Sequence, residues 1–187
     1  MPKPLVVSAP RVRRALRDSF GHWIREVGVD AFRIDTAYHV PPEFFEDFLF
    51  SDDRRAPGMA RVAERTGRRD FLAFGEGFGI DPPGQTRYTR KLESYIRSEH
   101  GRQRLSGMLN VPLYAGLVDV FARGRAPAEL QRRVQDMVAA AARGIDPRRL
   151  PSFIDNHDVD RWLAVSGEPA MKQALLALMT LPGIPVL

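Results

Sequence analysis

Three short apolar stretches of the sequence each end abruptly in side chains that can exchange protons or bind sugar hydroxyls. The first reads AFRID and ends at Asp35, the second reads FLAFGE and ends at Glu76, and the third reads FIDNHD and ends at Asp158. Cleavage of a glycosidic bond needs two carboxyl groups, one that attacks the sugar or activates water and one that protonates the leaving oxygen. These three carboxylates are therefore candidates for glycoside chemistry.

The neighbours of each carboxylate indicate a division of roles. Asp35 follows Arg33 by two residues, and residues two apart in a strand point to the same side, so the guanidinium would keep Asp35 ionised as a nucleophile. Glu76 lies between glycines and near phenylalanines, an apolar setting that favours the neutral, proton-donating form of a carboxyl group. Asp158 would stabilise positive charge in the transition state, and His157 would donate hydrogen bonds to sugar hydroxyls.

Each candidate also has a structural interpretation that needs no catalysis. Asp35 could cap the turn that follows its strand, Glu76 could be an exposed loop acid, and residues 156–158 could cap a helix. Tyr38 and His39 are more often packing or loop residues than catalysts.

The elements that must position these residues alternate along the chain. A stripe of apolar residues at spacings of three and four, from Val12 to Val27, predicts a helix that Gly28 ends. Alternation of helices with short apolar strands indicates an α/β fold, a parallel sheet with helices outside it, in which chemistry gathers at the carboxyl ends of the strands. The three polar clusters would then converge on one site. Further helices are predicted at residues 42–50, 59–66, 130–141 and 174–181, strands at 31–34, 71–74, 153–154 and 184–187, a weaker strand at 105–111, and a loop at 79–88.

The composition is that of one ordinary globular domain, with 187 residues of which 44% are apolar and 27% charged. No stretch of about 18 apolar residues predicts a membrane span. The N-terminus, MPKPLVVSAP, does not read as a signal peptide. The chain has no cysteine, which excludes disulfides and thiolate metal sites. Cysteine content therefore does not indicate the cellular compartment.

The formal net charge of +5 comes from arginines that often occur in pairs. No aromatic residues interleave with these pairs, as a stacking platform for bases would need. We therefore expect a solvated, arginine-rich surface and no nucleic-acid partner.

Three motifs carry a resemblance to a known family. FRID at 32–35, GEGF at 75–78 and FIDNHD at 153–158 resemble three regions that occur in this order in the α-amylase family, glycoside hydrolase family 13. The resemblance implies a (β/α)₈ TIM barrel and a retaining glycosidase that acts on α-glucans or α-glucosides. A transglycosylase of the same family and a non-catalytic member of the fold are the alternatives.

The resemblance also implies a role for each matching residue. Asp35 would be the nucleophile of a covalent glycosyl-enzyme, Glu76 the general acid and base, and Asp158 the residue that stabilises the transition state. Tyr38 stands where the family often has a lysine. The implied substrate-binding residues are Arg33, Tyr38, His39 and His157.

The resemblance extends over strands four to eight of the family barrel. The third-strand region and the C-terminal β-sandwich of the family have no counterpart, so residues 1–187 are expected to be one incomplete catalytic barrel that lacks strands one to three. Expressed alone, such a chain would be weakly active or inactive without a partner that supplies the missing strands. The family's common calcium site draws on the absent region, so we expect no metal or other cofactor in this chain, whereas calcium would fit a longer parent protein.

Overall fold

A computed structural model describes residues 9–187. The chain divides into two compact units, the first reaching up to Glu76 and including Ser94–Ser106, the second comprising Gly77–Glu93 and Gly107–Leu187. Residues 1–8, which belong to the segment in which no signal peptide is predicted, lie outside the described residues. No helix in the described part is both long and apolar enough to cross a membrane.

Helices and strands alternate over much of the described chain. The strands are β1 (Ala31–Ile34), β2 (Leu72–Gly75), β3 (Gly107–Met108), β4 (Pro151–Ser152) and β5 (Ile184–Pro185). The α-helices within residues 9–187 are α1 (Pro10–His22), α2 (Glu43–Phe50), α3 (Met59–Arg65), α4 (Arg87–Ile96), α5 (Val111–Leu117), α6 (Ala128–Ala139), α7 (Trp162–Val165) and α8 (Glu168–Thr180). Short π-helical turns occur at Trp23–Val27 and Val118–Ala122, and 3-10 turns at Ala37–His39, Ala140–Arg143 and Pro147–Arg149.

The first unit contains a parallel pair of strands, β1 and β2, as the apolar runs predict. Ile34 lies opposite Gly75 in the register. The backbone ladder continues past both strands, because the Glu76 N–H donates to the Ile34 carbonyl at 2.8 Å and the Ala37 N–H donates to the Glu76 carbonyl at 2.8 Å. The residues that follow the two strands are therefore held side by side.

The predicted first helix is confirmed, and its end contains a feature that periodicity did not predict. After α1 the backbone widens into a π-helical turn and then stops at Gly28, whose φ of 81° is in the left-handed region that glycine adopts easily. A π-helical turn takes one more residue than an α-helical turn, so it changes which side chains face the core.

The buried face of this helix is not the predicted one. Phe20, Trp23 and Val27 of the predicted stripe are 41%, 50% and 57% exposed, whereas Arg17 and Ile24 are buried. The π-helical turn changes which side chains face the core at the C-terminal end of the helix. Arg17 can be buried because Asp47 and the Ala56 carbonyl bind its guanidinium.

Aromatic rings join the strands of the first unit to its helices. The Phe20 ring lies 5.7 Å from that of Phe32 and 5.6 Å from that of Phe48, while the Phe32 ring lies 5.1 Å from that of Phe71. All three pairs are edge-to-face, the arrangement that aromatic quadrupoles favour. Phe32 thereby packs β1 against α1 and the residue that precedes β2, and Phe20 packs α1 against α2.

Three arginines contradict the expectation of a uniformly solvated arginine surface. Arg17, Arg104 and Arg133 are only 5%, 7% and 6% exposed. A buried charge is tolerated when it is paired and hydrogen-bonded, and each of these side chains has a carboxylate partner and donates to a main-chain carbonyl. The carbonyl acceptors are those of Ala56, Ser94 and Asp81, at 2.8, 2.7 and 2.8 Å.

The second unit contains the parallel pair β4 and β5, with Pro151 opposite Ile184. The predicted strand at 153–154 is wrong by two residues. Phe153 and Ile154 are buried, but the paired residues precede them. A run of apolar residues indicates which side chains are buried, whereas a strand is defined by backbone pairing. Here the buried side chains continue for two residues past the paired backbone.

The weaker strand predicted at 105–111 is much shorter than expected. It is reduced to β3 because α5 begins already at Val111, where the Asn110 side chain accepts a hydrogen bond from the Leu113 N–H at 3.2 Å. This is the arrangement of a helix N-cap. Neither α5 nor α4 was predicted.

A buried carboxylate organises the start of α4. Asp81 is 1% exposed, and its oxygens accept hydrogen bonds from the Tyr88 N–H at 2.8 Å and from the N–H and hydroxyl of Thr89 at 2.9 and 2.8 Å. Burial raises the pKa of the Asp81 carboxyl, but these donors and the Arg133 charge outweigh burial, so its pKa lies below the usual value. The ionised form is thus stabilised in the fold.

Asp81→Asn is expected to lower the free energy of unfolding at pH 7 by about 1–3 kcal/mol, since a buried donor loses its charged acceptor. A carboxyl whose pKa is lowered in the fold contributes stability above its unfolded pKa of about 3.9 and loses it as pH falls through the folded value. The wild-type protein should therefore lose more stability than Asp81→Asn on acidification from pH 5 to about pH 3. Urea unfolding followed by circular dichroism at several pH values measures both effects.

Asp160→Asn, at an exposed position of the same unit, is the matched control and should leave the free energy of unfolding nearly unchanged. Equal acid sensitivity of the wild-type protein and Asp81→Asn would contradict this account of Asp81.

Candidate active site

The first unit brings together the polar residues that follow its two strands. Arg33 Nη2 in β1 lies 3.2 Å from Oδ1 of Asp35, the residue that follows the strand, as expected for residues two apart in extended backbone. The two side chains are 38% and 63% exposed, so the carboxylate faces solvent while a guanidinium stands beside it. The 3-10 turn that follows has no side-chain cap, which argues against a capping role for Asp35.

Glu76 is fixed to the residue that follows Asp35. Its Oε2 accepts a hydrogen bond from the Thr36 N–H at 2.8 Å. Thr36 has a φ of 46°, and this left-handed conformation costs a residue other than glycine about 1–2 kcal/mol. The strained turn aims the Thr36 N–H at Glu76. This hydrogen bond fixes the orientation of the Glu76 carboxyl group.

The surroundings of Glu76 are less apolar than the sequence indicates. Gly75 and Gly77 are buried, but Glu76 is itself half-buried and Phe78 is exposed. The predicted apolar enclosure is therefore incomplete, and the position of Glu76 depends on the hydrogen bond from Thr36.

A cavity of about 270 Å³ adjoins Asp35 and Arg33 in the first unit. Its walls are otherwise apolar, and most of its lining residues are phenylalanines. Arg33 and Asp35 are thus the charged residues at the edge of a cavity whose other lining residues are apolar. The apolar lining consists of Phe20, Phe32, Ile34, Phe44, Phe45 and Phe48.

Tyr38 and His39 lie in the 3-10 turn after Asp35 and differ in exposure. The Tyr38 ring lies 4.9 Å from that of Tyr95, whose hydroxyl donates to the Val40 carbonyl at 2.9 Å. His39 is exposed. Tyr38 therefore has a packing role against Tyr95. Binding of substrate by Tyr38 or His39 stays a prediction.

The second unit carries the other predicted site residues, His157 and Asp158. His157 Nε2 lies 3.4 Å from Asp158 Oδ2, and both side chains are exposed. The Asn156 side chain accepts a hydrogen bond from the Asp158 N–H at 2.9 Å, an Asx-type turn. Asn156 thus shapes the turn that presents His157 and Asp158.

Asp155 is a structural anchor that sequence reasoning missed. Its carboxylate accepts hydrogen bonds from the Trp162 N–H at 2.7 Å and from Arg161 Nη1 at 2.8 Å. The interpretation of residues 156–158 as a helix cap is therefore wrong, because it is Asp155 that binds the first N–H of α7. A span of seven residues matches no standard capping spacing, so no local pattern predicts this contact.

Apolar packing supports the same segment from behind. The Phe153 ring stacks on Tyr114 with centroids 4.8 Å apart and planes 7° from parallel. Leu109 and Val111 complete this buried cluster, and Val159 packs against it. The residues before and after His157 and Asp158 are therefore both anchored.

Within residues 9–187, no group of three or more histidine, aspartate or glutamate side chains is arranged to hold a metal ion.

Comparison with known proteins identifies relatives, although no protein-family model matches the chain. A β/α-amylase of Paenibacillus polymyxa is 29% identical over 186 residues, which cover 92% of this chain and 13% of that protein. An α-amylase of Saccharomycopsis fibuligera is 28% identical over 174 residues, which cover 90% of this chain and 28% of that protein. The chain spans less than a third of the length of either curated relative.

Solved structures give a concordant result. A cyclomaltodextrin glucanotransferase with a three-domain ABC distribution superposes with a TM-score of 0.74 at 26% identity, covering 98% of this chain and 33% of that one. An Anoxybacillus α-amylase superposes with a TM-score of 0.72 at 26% identity, covering 97% and 36%. These neighbours are TIM-barrel proteins, which supports the predicted α/β fold with parallel strands.

Asp155→Ala is expected to lower the free energy of unfolding by about 1–3 kcal/mol, because the N–H of the buried Trp162 loses its acceptor. Asp155→Asn should cost less, since its amide oxygen can still accept that hydrogen bond. Arg161→Ala removes the other, exposed partner and should cost under about 1 kcal/mol. Urea unfolding followed by circular dichroism measures all three; equal losses for Asp155→Ala and Arg161→Ala would show that the bond to Trp162 is unimportant.

Proposed function

We propose that this chain, which is homologous to the α-amylases and cyclomaltodextrinases of glycoside hydrolase family 13, is part of a retaining glycosidase that acts on α-glucans. The observation that carries the proposal is the β1–β2 register, which sets Asp35 and Glu76 side by side after adjacent parallel strands. We take residues 1–187 as part of its catalytic barrel, in the region of strands four to eight.

In the proposed first step Asp35 attacks the anomeric carbon of the sugar. A bond forms between its carboxylate oxygen and that carbon, and the bond from the carbon to the glycosidic oxygen breaks. Arg33, 3.2 Å from Asp35, orients the nucleophile. Glu76 gives its proton to the departing oxygen, which leaves as a hydroxyl group.

In the second step Glu76 acts as a base. It takes a proton from water, the water oxygen bonds to the anomeric carbon, and Asp35 is released as a carboxylate. Asp158 stabilises the oxocarbenium-like transition states on either side of the covalent intermediate. Sugar hydroxyls contact His157, His39 and Tyr38 in this proposal.

Glycosyl transfer is the second candidate function, favoured by the superposition on the glucanotransferase. The residues and the first step are the same, and a sugar hydroxyl replaces water in the second. Product analysis on maltooligosaccharides separates the two, since hydrolysis gives shorter reducing sugars whereas transfer gives longer or cyclic products.

Glu76→Gln is expected to lower kcat on maltooligosaccharides by about 10²- to 10⁴-fold, because the leaving oxygen loses its proton donor. On an α-glucosyl fluoride the departing fluoride needs little protonation, so formation of the glycosyl-enzyme by this variant should be much less impaired. Asp35→Asn should lose activity on both substrates. The protein for these assays is expressed from the complete reading frame in which this sequence lies.

Glu64→Gln, at an exposed position on α3 of the same unit, is the matched control and should retain wild-type kcat. Wild-type turnover by Glu76→Gln or Asp35→Asn would refute the proposed roles, as would inversion of the anomeric configuration of the first product observed by NMR.

A further inference from the structure

Four arginines surround one small cavity of the first unit, and no carboxylate lines it. The cavity has a volume of about 180 Å³, and its walls contain no aspartate or glutamate from the described part of the chain. The lining residues are Arg25, Arg54, Arg55 and Arg65, with Pro57, Val62 and Thr66.

Most other arginines in residues 9–187 have a carboxylate within 4.0 Å. A larger cavity of about 700 Å³ in the same unit, which Arg55 also lines, is rich in arginine too, but Asp18 and Asp47 are part of its lining. Arg14 there lies 2.8 Å from Asp53, and Arg17 pairs with Asp47. The charge of that larger cavity is thus partly neutralised by the protein itself.

In the small cavity the protein supplies less of this neutralisation. Arg25 has one carboxylate neighbour, Asp18 at 3.7 Å. For Arg54, Arg55 and Arg65 the described residues provide no side-chain ion pair. Four positive charges around one concave space repel one another, and a bound anion of high charge would relieve that repulsion.

The guanidinium groups of the lining indicate which kind of anion would bind. A guanidinium donates two parallel hydrogen bonds to adjacent oxygens, so several of them match the tetrahedral oxygens of phosphate. No aromatic ring lines the cavity, so it offers no stacking surface for a base.

The backbone holds these arginines in place. The Asp53 carboxylate accepts hydrogen bonds from the N–H groups of Arg55 at 3.0 Å and Ala56 at 3.4 Å. Arg25 lies in the π-helical turn, and Arg65 is the last residue of α3. Donors carried on ordered backbone lose less entropy on binding than donors on a mobile loop.

The cavity is separate from the candidate active site. Its lining comes from the π-helical turn before β1, from the segment that leads into α3, and from α3 with Thr66. None of it comes from the residues that follow β1 or β2, where Asp35 and Glu76 lie. A ligand here would not occupy the position of the substrate.

We propose that this cavity is a binding site for a phosphate dianion, either free phosphate or the phosphate group of a phosphorylated sugar. The ligand is held by Arg25, Arg54, Arg55 and Arg65 and stabilises the first unit when bound. This inference does not depend on the proposed glycosidase activity.

The test is calorimetric titration of the protein from its complete reading frame with inorganic phosphate and, separately, glucose 6-phosphate. At pH 8 and constant ionic strength set with chloride, phosphate should bind, and Arg54→Gln and Arg65→Gln should each weaken binding about tenfold or more, as loss of a charge-assisted hydrogen bond implies. Lowering the pH to about 5 should weaken binding of glucose 6-phosphate, because a phosphate ester loses its second charge near pH 6 while arginine stays charged.

Arg69→Gln is the matched control, because it removes the same charge from an exposed position of the same unit that does not line the cavity. Preference for glucose 6-phosphate over inorganic phosphate would identify a phosphorylated sugar as the ligand, and equal affinity would identify the phosphate group alone. Absence of binding at constant ionic strength, or equal weakening by Arg65→Gln and Arg69→Gln, overturns the proposal. Tighter, arginine-dependent binding of a single-stranded oligonucleotide overturns it in favour of nucleic acid.

Discussion

The parallel register of β1 and β2 is the constraint on which the catalytic proposal depends. Because Ile34 lies opposite Gly75, the acids that follow the two strands, Asp35 and Glu76, come side by side, and the ladder bonds at Glu76 hold them together. A shift of one residue would turn every side chain of a strand to the other face and separate the two acids. The rings around Phe32 oppose such a shift from the helix side of the sheet.

Both units hold polar segments in place by burying charged groups with their partners. Arg17, Arg104 and Arg133 each use a main-chain carbonyl as one acceptor, and Asp81 collects N–H donors at the start of α4. A guanidinium has five N–H donors, so it can satisfy a carbonyl and a carboxylate at once. Arginine is therefore a structural residue in this protein as well as a source of surface charge.

Local patterns predicted those elements whose cause is local. The strands β1 and β2 were identified by short apolar runs that end in polar residues, and the first helix end was marked by Gly28, whose φ is 81°. The fold class and the family resemblance followed from the same short stretches.

Long-range causes were beyond sequence reasoning. Asp81 binds the start of α4 across seven residues and Asp155 binds Trp162 across seven, distances at which no capping rule applies. The burial of Arg17 depends on Asp47, thirty residues away in the chain. The π-helical turn changes the buried face without any change in apolar spacing.

The two tryptophans of the chain fall one in each unit, and their environments are opposite. Trp23 of the π-helical turn is 50% exposed, whereas Trp162 is 1% exposed. An excited indole surrounded by water emits at longer wavelength than one enclosed in an apolar interior. The intrinsic fluorescence spectrum should therefore contain a red-shifted contribution from the first unit and a blue-shifted one from the second, so that a change in either unit can be followed without an added label.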